Sequence, residues 1–554
     1  MSDTNDKYSK AITERQKYID AILSSASRNK IVVAGPGTGK TYLFKEVLKG
    51  RTNTLTLTFV NALVEDLSLE LYGLSEVRTL HSFARSELGK ATNGEVKLFP
   101  KLPQVIGEDA KILLGKEIDF DHIFHNRDDS NEGIEFYKKR KNYYDKHYGY
   151  SDVIFAIVKH FESKKDKIPT YEQVVVDEFQ DFNKLEVSLI ELLSEKSPVL
   201  LAGDDDQALY AFKSASAEHI RNKHGDTCPD YASFSLPYCS RCARVIVEAA
   251  NDIISQAIKN KLLNGRINKP YQYFEDEKKD KESDQNPKLV YNQSFAKQIP
   301  WFIQQRIGEI AEEVKGPFSV LIISPTKKHL KAIVEGLRGK GFGNIEHYEK
   351  NDNNEPVLLD GFKILLSDEK SNLGWRIVSK FFLNKKDFDE LLKETNQDNA
   401  KLVCEIIDKK IKKSVDEMLK ICRGARDEKN IDEKKLDEVL KKVGSNPHEI
   451  SKTFLKDEID SSSMRGGNPG LRKIPIKATT IQSSKGLAAE YVFITNFDDQ
   501  YFVKNKDKKK ISDQDVCNFL VALTRARKKI FLISSAKKEP TFLKWIDPSR
   551  IEKI

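Results

Sequence analysis

Two groups of residues in this 554-residue chain have the types and spacing that phosphate chemistry requires. The first is a glycine-rich turn that ends in Lys40 and Thr41. Its glycines let backbone N–H groups point at phosphate oxygens, while the lysine reaches the β- and γ-phosphates and the hydroxyl binds Mg²⁺. The turn matches the phosphate-loop pattern except at its first position and comprises Ala34, Gly35, Pro36, Gly37, Thr38, Gly39, Lys40 and Thr41.

The second group is a pair of acids, Asp177 and Glu178, directly after the apolar run 174–176. One carboxylate that holds Mg²⁺ beside another that activates water is what hydrolysis of a nucleoside triphosphate needs. An acid pair alone is often only a helix cap. A glycine-rich turn alone can be an ordinary strand–helix connection. Together the two groups predict a Mg²⁺-dependent nucleoside triphosphatase.

The flanking residues predict the elements that position these groups. A short β-branched run at 31–33 precedes the glycine turn, and apolar residues at helical spacing follow it, which indicates strand, loop and helix. The runs 174–176 and 198–202 predict two further buried strands, the second followed by the acids 204–206. Because open parallel sheets bind ligands at the carboxyl ends of their strands, these acids should face the phosphate loop.

Further along the chain, three more apolar runs predict a second sheet of the same kind, at 320–323, 491–494 and 530–533. Two stretches interrupt the strand pattern, at about 90–150 and 376–475, and both are interpreted as largely helical insertions. The highly charged stretch 276–288 is predicted to be an exposed loop.

Composition excludes several classes of protein. The 92 basic and 84 acidic residues give a net charge of +8, which permits a polyanionic partner without demanding one. No apolar stretch of about 18 residues exists and the N-terminus lacks an apolar signal core, so neither a membrane span nor a secretory signal is expected. No second cysteine pair follows Cys239 and Cys242, which excludes a zinc-site pattern and favours a reduced, cytoplasmic protein.

Further motifs follow one another in a definite order. The series resembles the UvrD/Rep-like superfamily 1 (SF1A) DNA helicases over most of the chain, and DEFQD and VALTRAR are its most specific members. The motifs are TERQ (13–16), LTFVNA (57–62), TLHSF (79–83), VVVDEFQD (174–181), GDDDQALYAFKSA (203–215), LPYCSRCARVIVEAAN (236–251), TTIQSSKGL (479–487) and VALTRAR (521–527).

The resemblance implies an α/β fold with two RecA-like P-loop NTPase domains, each a parallel sheet carrying a mainly helical insertion, with ATP in the cleft between them. The first RecA-like domain would then comprise 1–90 and 150–232, interrupted by a first insertion at 91–149. The second RecA-like domain would comprise 233–375 and 476–554, interrupted by a reduced second insertion at 376–475.

The resemblance also implies roles for individual residues. Gln16 would read the adenine and Gln207 would sense the γ-phosphate. Arg241 and Arg525 would reach the γ-phosphate from the second domain, as arginine fingers do, so that cleft closure follows nucleotide state. The residues placed along a single-stranded DNA track are Phe59, Asn61, His81, Tyr210 and Phe212.

Aromatic faces stack on any base, which suits a motor that does not read sequence. Phe59 and Phe212 have a competing interpretation as core residues, and Tyr210 is the better stacking candidate. The basic and aromatic cluster 137–144 has two equal interpretations, a DNA grip or a solvated helix face with tyrosines packed beneath. The lysine runs 409–413 and 506–510 are interpreted as solvated surface.

This chain departs from the family pattern at positions that, in the family, surround the base and the ribose of the nucleotide. Ser240 stands where the family has a tyrosine that stacks on adenine, and Tyr42 stands where it often has an arginine. We hypothesise that Tyr42 takes over the stacking. Gln482 and Ala488 replace a histidine and a ribose-contacting glutamate, which bears on ribose recognition and on coupling of DNA to hydrolysis.

The function predicted from the sequence is an ATP-dependent, Mg²⁺-requiring DNA helicase or translocase that moves 3′-to-5′ on single-stranded or partly duplex DNA. One alternative is a nucleic-acid-activated ATPase switch that regulates a partner such as a nuclease, for example in phage defence. A non-catalytic DNA-binding scaffold with a relic nucleotide site is a further alternative. The complete set of Lys40, Asp177, Glu178 and Arg525 argues against it.

Overall fold

The computed structural model describes most of the chain. The described residues are 2–58, 61–210, 213–225, 228–314, 316–348, 355–397, 401–426, 434, 438–439, 474–503 and 510–554. The predicted glycine-rich segment 464–470 and most of the lysine run 506–510 therefore lie outside them.

Short strands alternate with helices along the chain. In chain order the strands are β1 Lys30–Ala34, β2 Thr54–Thr58, β3 Glu76–Thr79, β4 Lys97–Leu98, β5 His147–Tyr148, β6 Gln173–Val176, β7 Val199–Gly203, β8 Ala232–Leu236, β9 Tyr238–Cys239, β10 Gln272–Tyr273, β11 Leu289–Gln293, β12 Val320–Ser324, β13 Ile345–Tyr348, β14 Ile476–Thr480, β15 Ala489–Ile494, β16 Ala526–Ser534 and β17 Ile551–Lys553.

The helices carry the connections between these strands and build the two insertions. In chain order they are α1 Ser2–Ser24, α2 Lys40–Leu48, α3 Asn61–Glu70, α4 Leu80–Thr92, α5 Leu102–Leu114, α6 Phe120–Asn126, α7 Glu132–Arg140, α8 Tyr150–Ser163, α9 Lys184–Lys196, α10 Glu218–Lys223, α11 Arg244–Lys259, α12 Glu277–Gln285, α13 Ile299–Glu313, α14 Lys327–Arg338, α15 Leu358–Ser367, α16 Asn372–Phe382, α17 Lys385–Gln397, α18 Val403–Ile406, α19 Lys409–Arg426, α20 Asp499–Phe502, α21 Asp513–Leu523 and α22 Thr541–Trp545.

The chain forms two compact units, and both predicted sheets lie in the first. Unit 1 comprises Met1–Ser82, Lys164–Asn351 and Met464–Ile554. Its first sheet has the order β3-β2-β6-β7-β1-β8 and its second the order β13-β14-β12-β15-β16-β11-β17. All strand pairs in both sheets are parallel.

The strands of unit 1 are apolar because helices cover both faces of each sheet. Strands β1, β6 and β12 are buried almost throughout, and the helix after β1 buries Leu43, Phe44 and Val47 against the first sheet. The six apolar runs taken from the sequence all correspond to strands, namely β1, β6, β7, β12, β15 and β16. The prediction of an α/β fold with two parallel-sheet P-loop domains is confirmed.

Unit 2 comprises Phe83–Ser163 and Asp352–Ser463, so two distant stretches of chain form one body. Apart from the two-residue strands β4 and β5, its described elements are helical, as predicted for both insertions. Arg376 on α16 is fully buried and its guanidinium donates two hydrogen bonds to Asp109 on α5, at 2.6 and 2.9 Å. A buried ion pair therefore joins the two stretches.

One local prediction is wrong. The stretch 276–288 is not a loop, because α12 occupies Glu277–Gln285. Asp276 caps this helix by accepting hydrogen bonds from the N–H groups of Lys278 and Lys279. The high charge density of this stretch indicated a loop, although its residues form a capped helix. Among the described helices, none combines the length and the apolar character needed to cross a bilayer.

Candidate active site

The phosphate loop connects β1 to α2 in the backbone shape that its glycines allow. Gly37 and Gly39 have φ values of +72° and +97°, a region that disfavours residues with a Cβ atom. The Thr38 hydroxyl donates to the carbonyl of Gly35 at 2.8 Å and closes the turn. Helix α2 begins immediately afterwards at Lys40, so its unpaired N–H groups and the lysine face the same point.

The acid pair lies opposite this lysine, at the carboxyl end of β6. Lys40 Nζ lies 3.0 Å from Glu178 Oε1 and 3.8 Å from Asp177 Oδ1. Glu178 has a φ of +55°, an uncommon value for a residue with a side chain, which we attribute to the tight turn after the strand. Gln180 donates to the second carboxylate oxygen of Glu178 at 2.7 Å. The predicted lysine and acids thus form one buried cluster.

Burial and pairing move the pKa values of the two acids in opposite directions. Burial raises the pKa of Asp177 to about 6, although the nearby Lys40 opposes the shift. Burial also acts to raise the pKa of Glu178, but the charges of Lys40 and Lys485 outweigh it and the pKa is lowered. Both carboxylates are therefore mostly ionised at pH 7, and Asp177 takes up a proton before Glu178 as the pH falls.

The second sheet supplies cations to the same cluster. Arg525, between α21 and β16, is buried and donates to Gln207 Oε1 at 2.8 Å. Lys485 Nζ lies 3.2 Å from Glu178 Oε2, pairs with Asp181 and donates to the backbone oxygen of Gln207 at 2.9 Å. Burial and the charge of Arg241 lower the pKa of Arg525 to about 10, so the guanidinium remains protonated at pH 7.

The segment that carries Arg241 packs directly against the phosphate loop. The N–H of Ser240 donates to the carbonyl of Gly37 at 2.9 Å, and a Cβ atom on Gly37 would lie 2.3 Å from the Cβ of Arg241. The Tyr271 hydroxyl donates to the carbonyl of Pro36 at 3.0 Å. Phosphate loop and arginine segment are therefore in close contact within unit 1.

Comparisons with known proteins identify the family of this chain. The family model described as the UvrD-like helicase C-terminal domain matches residues 235–537, more than half of the chain. This chain belongs to the UvrD-like helicases. A second family model, described as an AAA domain, matches residues 19–213. The family predicted from the motif series is confirmed.

Individual relatives of this UvrD-like helicase match it over short segments. DNA helicase II of Haemophilus influenzae is 30% identical over 111 residues, 19% of this chain and 15% of that protein. ATP-dependent DNA helicase srs2 of Schizosaccharomyces pombe is 29% identical over 108 residues, 19% of this chain and 12% of that protein. ATP-dependent DNA helicase PcrA of Staphylococcus aureus is 29% identical over 117 residues, 20% of this chain and 16% of that protein.

The predicted adenine-reading residue, Gln16, contacts its own helix α1 in this structure. Gln16 is exposed, and its amide donates to Asp20 one turn further along α1, at 2.8 Å. Its neighbour Arg15 instead approaches the loop, within 2.6 Å of a Cβ built on Gly39. The Arg15 guanidinium lies 6.0 Å from the ring centre of Tyr42, whose side chain is 44% exposed. The ring of Tyr42 is thus partly open to solvent beside the loop.

The predicted DNA-contact residues have different outcomes. Tyr210 is only 4% exposed and its hydroxyl approaches the backbone oxygen of Gln482, so its ring as placed offers no face to a base. The stacking role predicted for Tyr210 does not fit this conformation, because the ring packs in the core around α21. His81 is partly exposed in the first turn of α4. Phe59, Phe212 and the side chain of Asn61 lie outside the described residues.

The cluster 137–144 follows the second of its two interpretations. Tyr137, Tyr143 and Tyr144 are buried, and Arg140 is 2% exposed with its guanidinium 4.0 Å from the ring centre of Tyr143. Lys138 remains exposed on the opposite face of the helix. The tyrosines pack beneath a partly charged surface and do not present their rings for base stacking.

Sequence reasoning missed two lysines that complete the site, Lys485 and Lys269. Lys485 lies inside the motif TTIQSSKGL, and this position in the motif was the available signal. Asp204 accepts from Gln207 at 2.6 Å and pairs with the buried Lys269 at 3.0 Å. Asp204 and Asp206 line a cavity beside Gly35, as expected for acids at the carboxyl ends of the strands. No local pattern marked Lys269, because it lies in an irregular segment.

Proposed function

We propose that this UvrD-like helicase is an ATP-dependent DNA helicase or translocase that moves 3′-to-5′ on single-stranded DNA. One observation carries the proposal: cations from the second sheet, Lys485 and Arg525, contact residues of the first sheet around Lys40 and Glu178. We call the parts of unit 1 built on the first and the second sheet the first and the second lobe. Because the two lobes share one charged cluster, a nucleotide bound there can open and close them. The three relatives are named as DNA helicases, which supports DNA as the substrate.

The residues present fit a magnesium nucleotide. A Cβ atom on either left-handed glycine would collide with Arg241 or Arg15, so the loop accepts only glycine there, and the partly buried Lys40 follows directly. Thr41 and Asp177 are the residues that would hold Mg²⁺, by hydroxyl and carboxylate oxygens. When bound, Mg²⁺ neutralises charge on the β- and γ-phosphate oxygens.

The remaining chemistry follows from the chain's own groups. In this structure Lys40 is neutralised by Glu178, so a triphosphate would compete with that carboxylate for the lysine. Release from Lys40 removes the main charge that lowers the pKa of Glu178, so the freed carboxylate is a better base that can orient a water and accept its proton. Arg241 and Arg525 then stabilise charge on the γ-phosphate from the second lobe. Loss of that phosphate removes the shared anion and lets the lobes separate.

ATP hydrolysis measured with single-stranded DNA, duplex DNA and RNA in parallel tests this proposal, at one stated salt concentration. We expect single-stranded DNA to stimulate turnover most. Lys40→Ala and Glu178→Gln should reduce turnover to background, while Lys49→Ala, an exposed lysine just after the same helix, should leave it unchanged. Robust hydrolysis in either of the first two variants would show that the site is misassigned.

Strand displacement distinguishes a helicase from an ATPase switch. Partial duplexes with a 3′ or a 5′ overhang are offered separately, and we expect displacement only with the 3′ overhang. Displacement from the 5′ overhang would contradict the proposed polarity. DNA-stimulated hydrolysis without any displacement would contradict unwinding and favour a switch that acts through a partner.

A further inference from the structure

Two cysteines flank the arginine of the second lobe at the spacing of a dithiol. Cys239 ends β9, Cys242 precedes the N-terminus of α11, and Ser240 and Arg241 lie between them. In the part of the chain that the structure describes, no further His, Cys, Asp or Glu side chains join this pair in a metal site, but as a dithiol it is complete. A Cys-X-X-Cys turn before a helix N-terminus is a setting in which one thiolate is stabilised.

The contacts of the two sulfur atoms indicate which one is the nucleophile and which one is the resolving thiol. The backbone N–H of Cys242 donates to Cys239 Sγ at 3.5 Å, while Cys242 Sγ–H donates to the backbone oxygen of Thr524 at 3.6 Å. Burial acts to raise the pKa of Cys239, but hydrogen bonds from Cys242 outweigh it and lower the pKa. Cys239 is the nucleophile and Cys242 the resolving thiol.

The phosphate loop packs against Cys239. Both cysteines are fully buried, and a Cβ atom built on Gly37 would lie 3.2 Å from Cys239 Sγ. A small reagent therefore reaches Cys239 only when the loop and the segment 238–242 separate. Of the remaining cysteines, Cys228 is partly exposed.

We propose that Cys239 and Cys242 are a redox-active dithiol that a low-molecular-weight disulfide converts into an intramolecular disulfide. The Cys239 thiolate attacks one sulfur of the small disulfide, forming a mixed disulfide and expelling one small thiolate. The Cys242 thiol then attacks the Cys239 sulfur, and its proton leaves with the second small thiol. The protein loses two electrons and the small disulfide gains them.

Oxidation would act on both arginines of the candidate site, an effect that rests on the proposed ATPase function. Arg241 lies inside the closed ring, and the disulfide removes the S–H donor that anchors Thr524, the residue before Arg525. Because a misplaced charge-stabilising arginine costs much of the rate, we expect turnover to fall at least about tenfold.

The test uses the full chain equilibrated in mixtures of reduced and oxidised glutathione, then alkylated with N-ethylmaleimide and digested with trypsin. Trypsin cleaves after Arg241, so the disulfide appears as two linked peptides. We expect linked peptides in the wild type and in the control Cys228→Ser, and none in Cys239→Ser or Cys242→Ser. Absence of linked peptides even in fully oxidised glutathione would overturn the proposal.

Turnover of the oxidised and reduced protein is a second, separate readout. We expect dithiothreitol to restore the lost activity, and equal turnover in both forms would refute control of the site by the dithiol. If the reduced protein hydrolyses no ATP, the proposed function fails, while the dithiol is still decided by the linked peptides alone.

Discussion

The ionised groups at the candidate site neutralise one another in pairs across the two lobes. Lys485 is 2% exposed and stands between Glu178 and Asp181. Burial raises the pKa of Asp181 to about 6, although Lys485 opposes the shift. Without this lysine two buried carboxylates would face each other, which is costly at neutral pH.

Replacing Lys485 tests whether it neutralises Glu178 and Asp181. Lys485→Met should destabilise the protein by about 3–5 kcal/mol, the cost of breaking a buried ion pair, and should lower its melting temperature. The matched control is Lys17→Met, because the Lys17 side chain is 67% exposed and pairs with Glu14 on the same helix. A surface pair contributes less than about 1 kcal/mol. Melting of Lys485→Met at the wild-type temperature would contradict the pairing.

The exposed ring of Tyr42 is the residue-scale feature that bears on base binding. Tyr42→Ala should raise the KM for ATP about tenfold with a smaller change in kcat, since stacking of a base on an aromatic ring contributes about 1–3 kcal/mol. Tyr72→Ala is the control, because Tyr72 is 88% exposed on the same unit. An unchanged KM in Tyr42→Ala would exclude Tyr42 as the stacking residue.

At the scale of elements, helix α9 begins with a buried reciprocal cap. The Asn183 side chain accepts the N–H of Glu186 at 3.0 Å, and the Glu186 carboxylate accepts the N–H of Asn183 at 2.9 Å. Burial raises the pKa of Glu186 from 4.5 to about 7. A carboxyl with a raised pKa binds its proton more tightly when folded, so its stabilisation is present at low pH and is lost as pH rises from about 4.5 to 7.

This cap predicts a pH-dependent effect on melting. Glu186→Gln keeps an acceptor for the Asn183 N–H but carries no charge. The variant should therefore melt about 2–4 °C above the wild type at pH 8 and close to it at pH 5. Glu195→Gln, on an exposed part of the same helix, should show no such difference between the two pH values. A Glu186→Gln effect equal at both pH values would refute the raised pKa.

At the scale of the whole molecule, unit 2 depends on a contact between its two stretches of chain. Asp109 receives hydrogen bonds from Arg376, from Arg140 at 3.4 Å and from the Tyr144 hydroxyl at 2.9 Å. Arg376 comes from the second stretch and the other three residues from the first. Burial acts to lower the pKa of Arg376, but its acidic partners raise it, so the guanidinium stays charged.

Removing that guanidinium should loosen unit 2 alone. Arg376→Met should cost about 3–5 kcal/mol and speed backbone hydrogen exchange in α5 and α16, while exchange in β1 and β6 of unit 1 stays as in the wild type. Lys380→Met is the control, since Lys380 is 37% exposed on the same helix and pairs with Glu108. Equal exchange in Arg376→Met and wild type would show that this ion pair does not hold the stretches together.

Much of the fold was predictable because its determinants are contiguous. The run before the phosphate loop is apolar and β-branched, the loop needs glycine at φ values near +72° and +97°, and the acids follow β6 directly. Local sterics and burial alone produce these features, so six strands, the phosphate loop and the family followed from the sequence. The charged helix α12 was missed because the high charge density of 276–288 was taken as the mark of an exposed loop.

Tertiary structure alone decided which partner each buried group meets. Lys485 and Glu178, Cys242 and Thr524, and Arg376 and Asp109 are each separated by hundreds of residues. Tyr210 is a further example of what the sequence did not determine. Its motif predicted a base contact, whereas packing buried its ring. Spacing along the chain specifies which elements form. Burial and charge pairing depend on how those elements pack, and no local pattern contains that information.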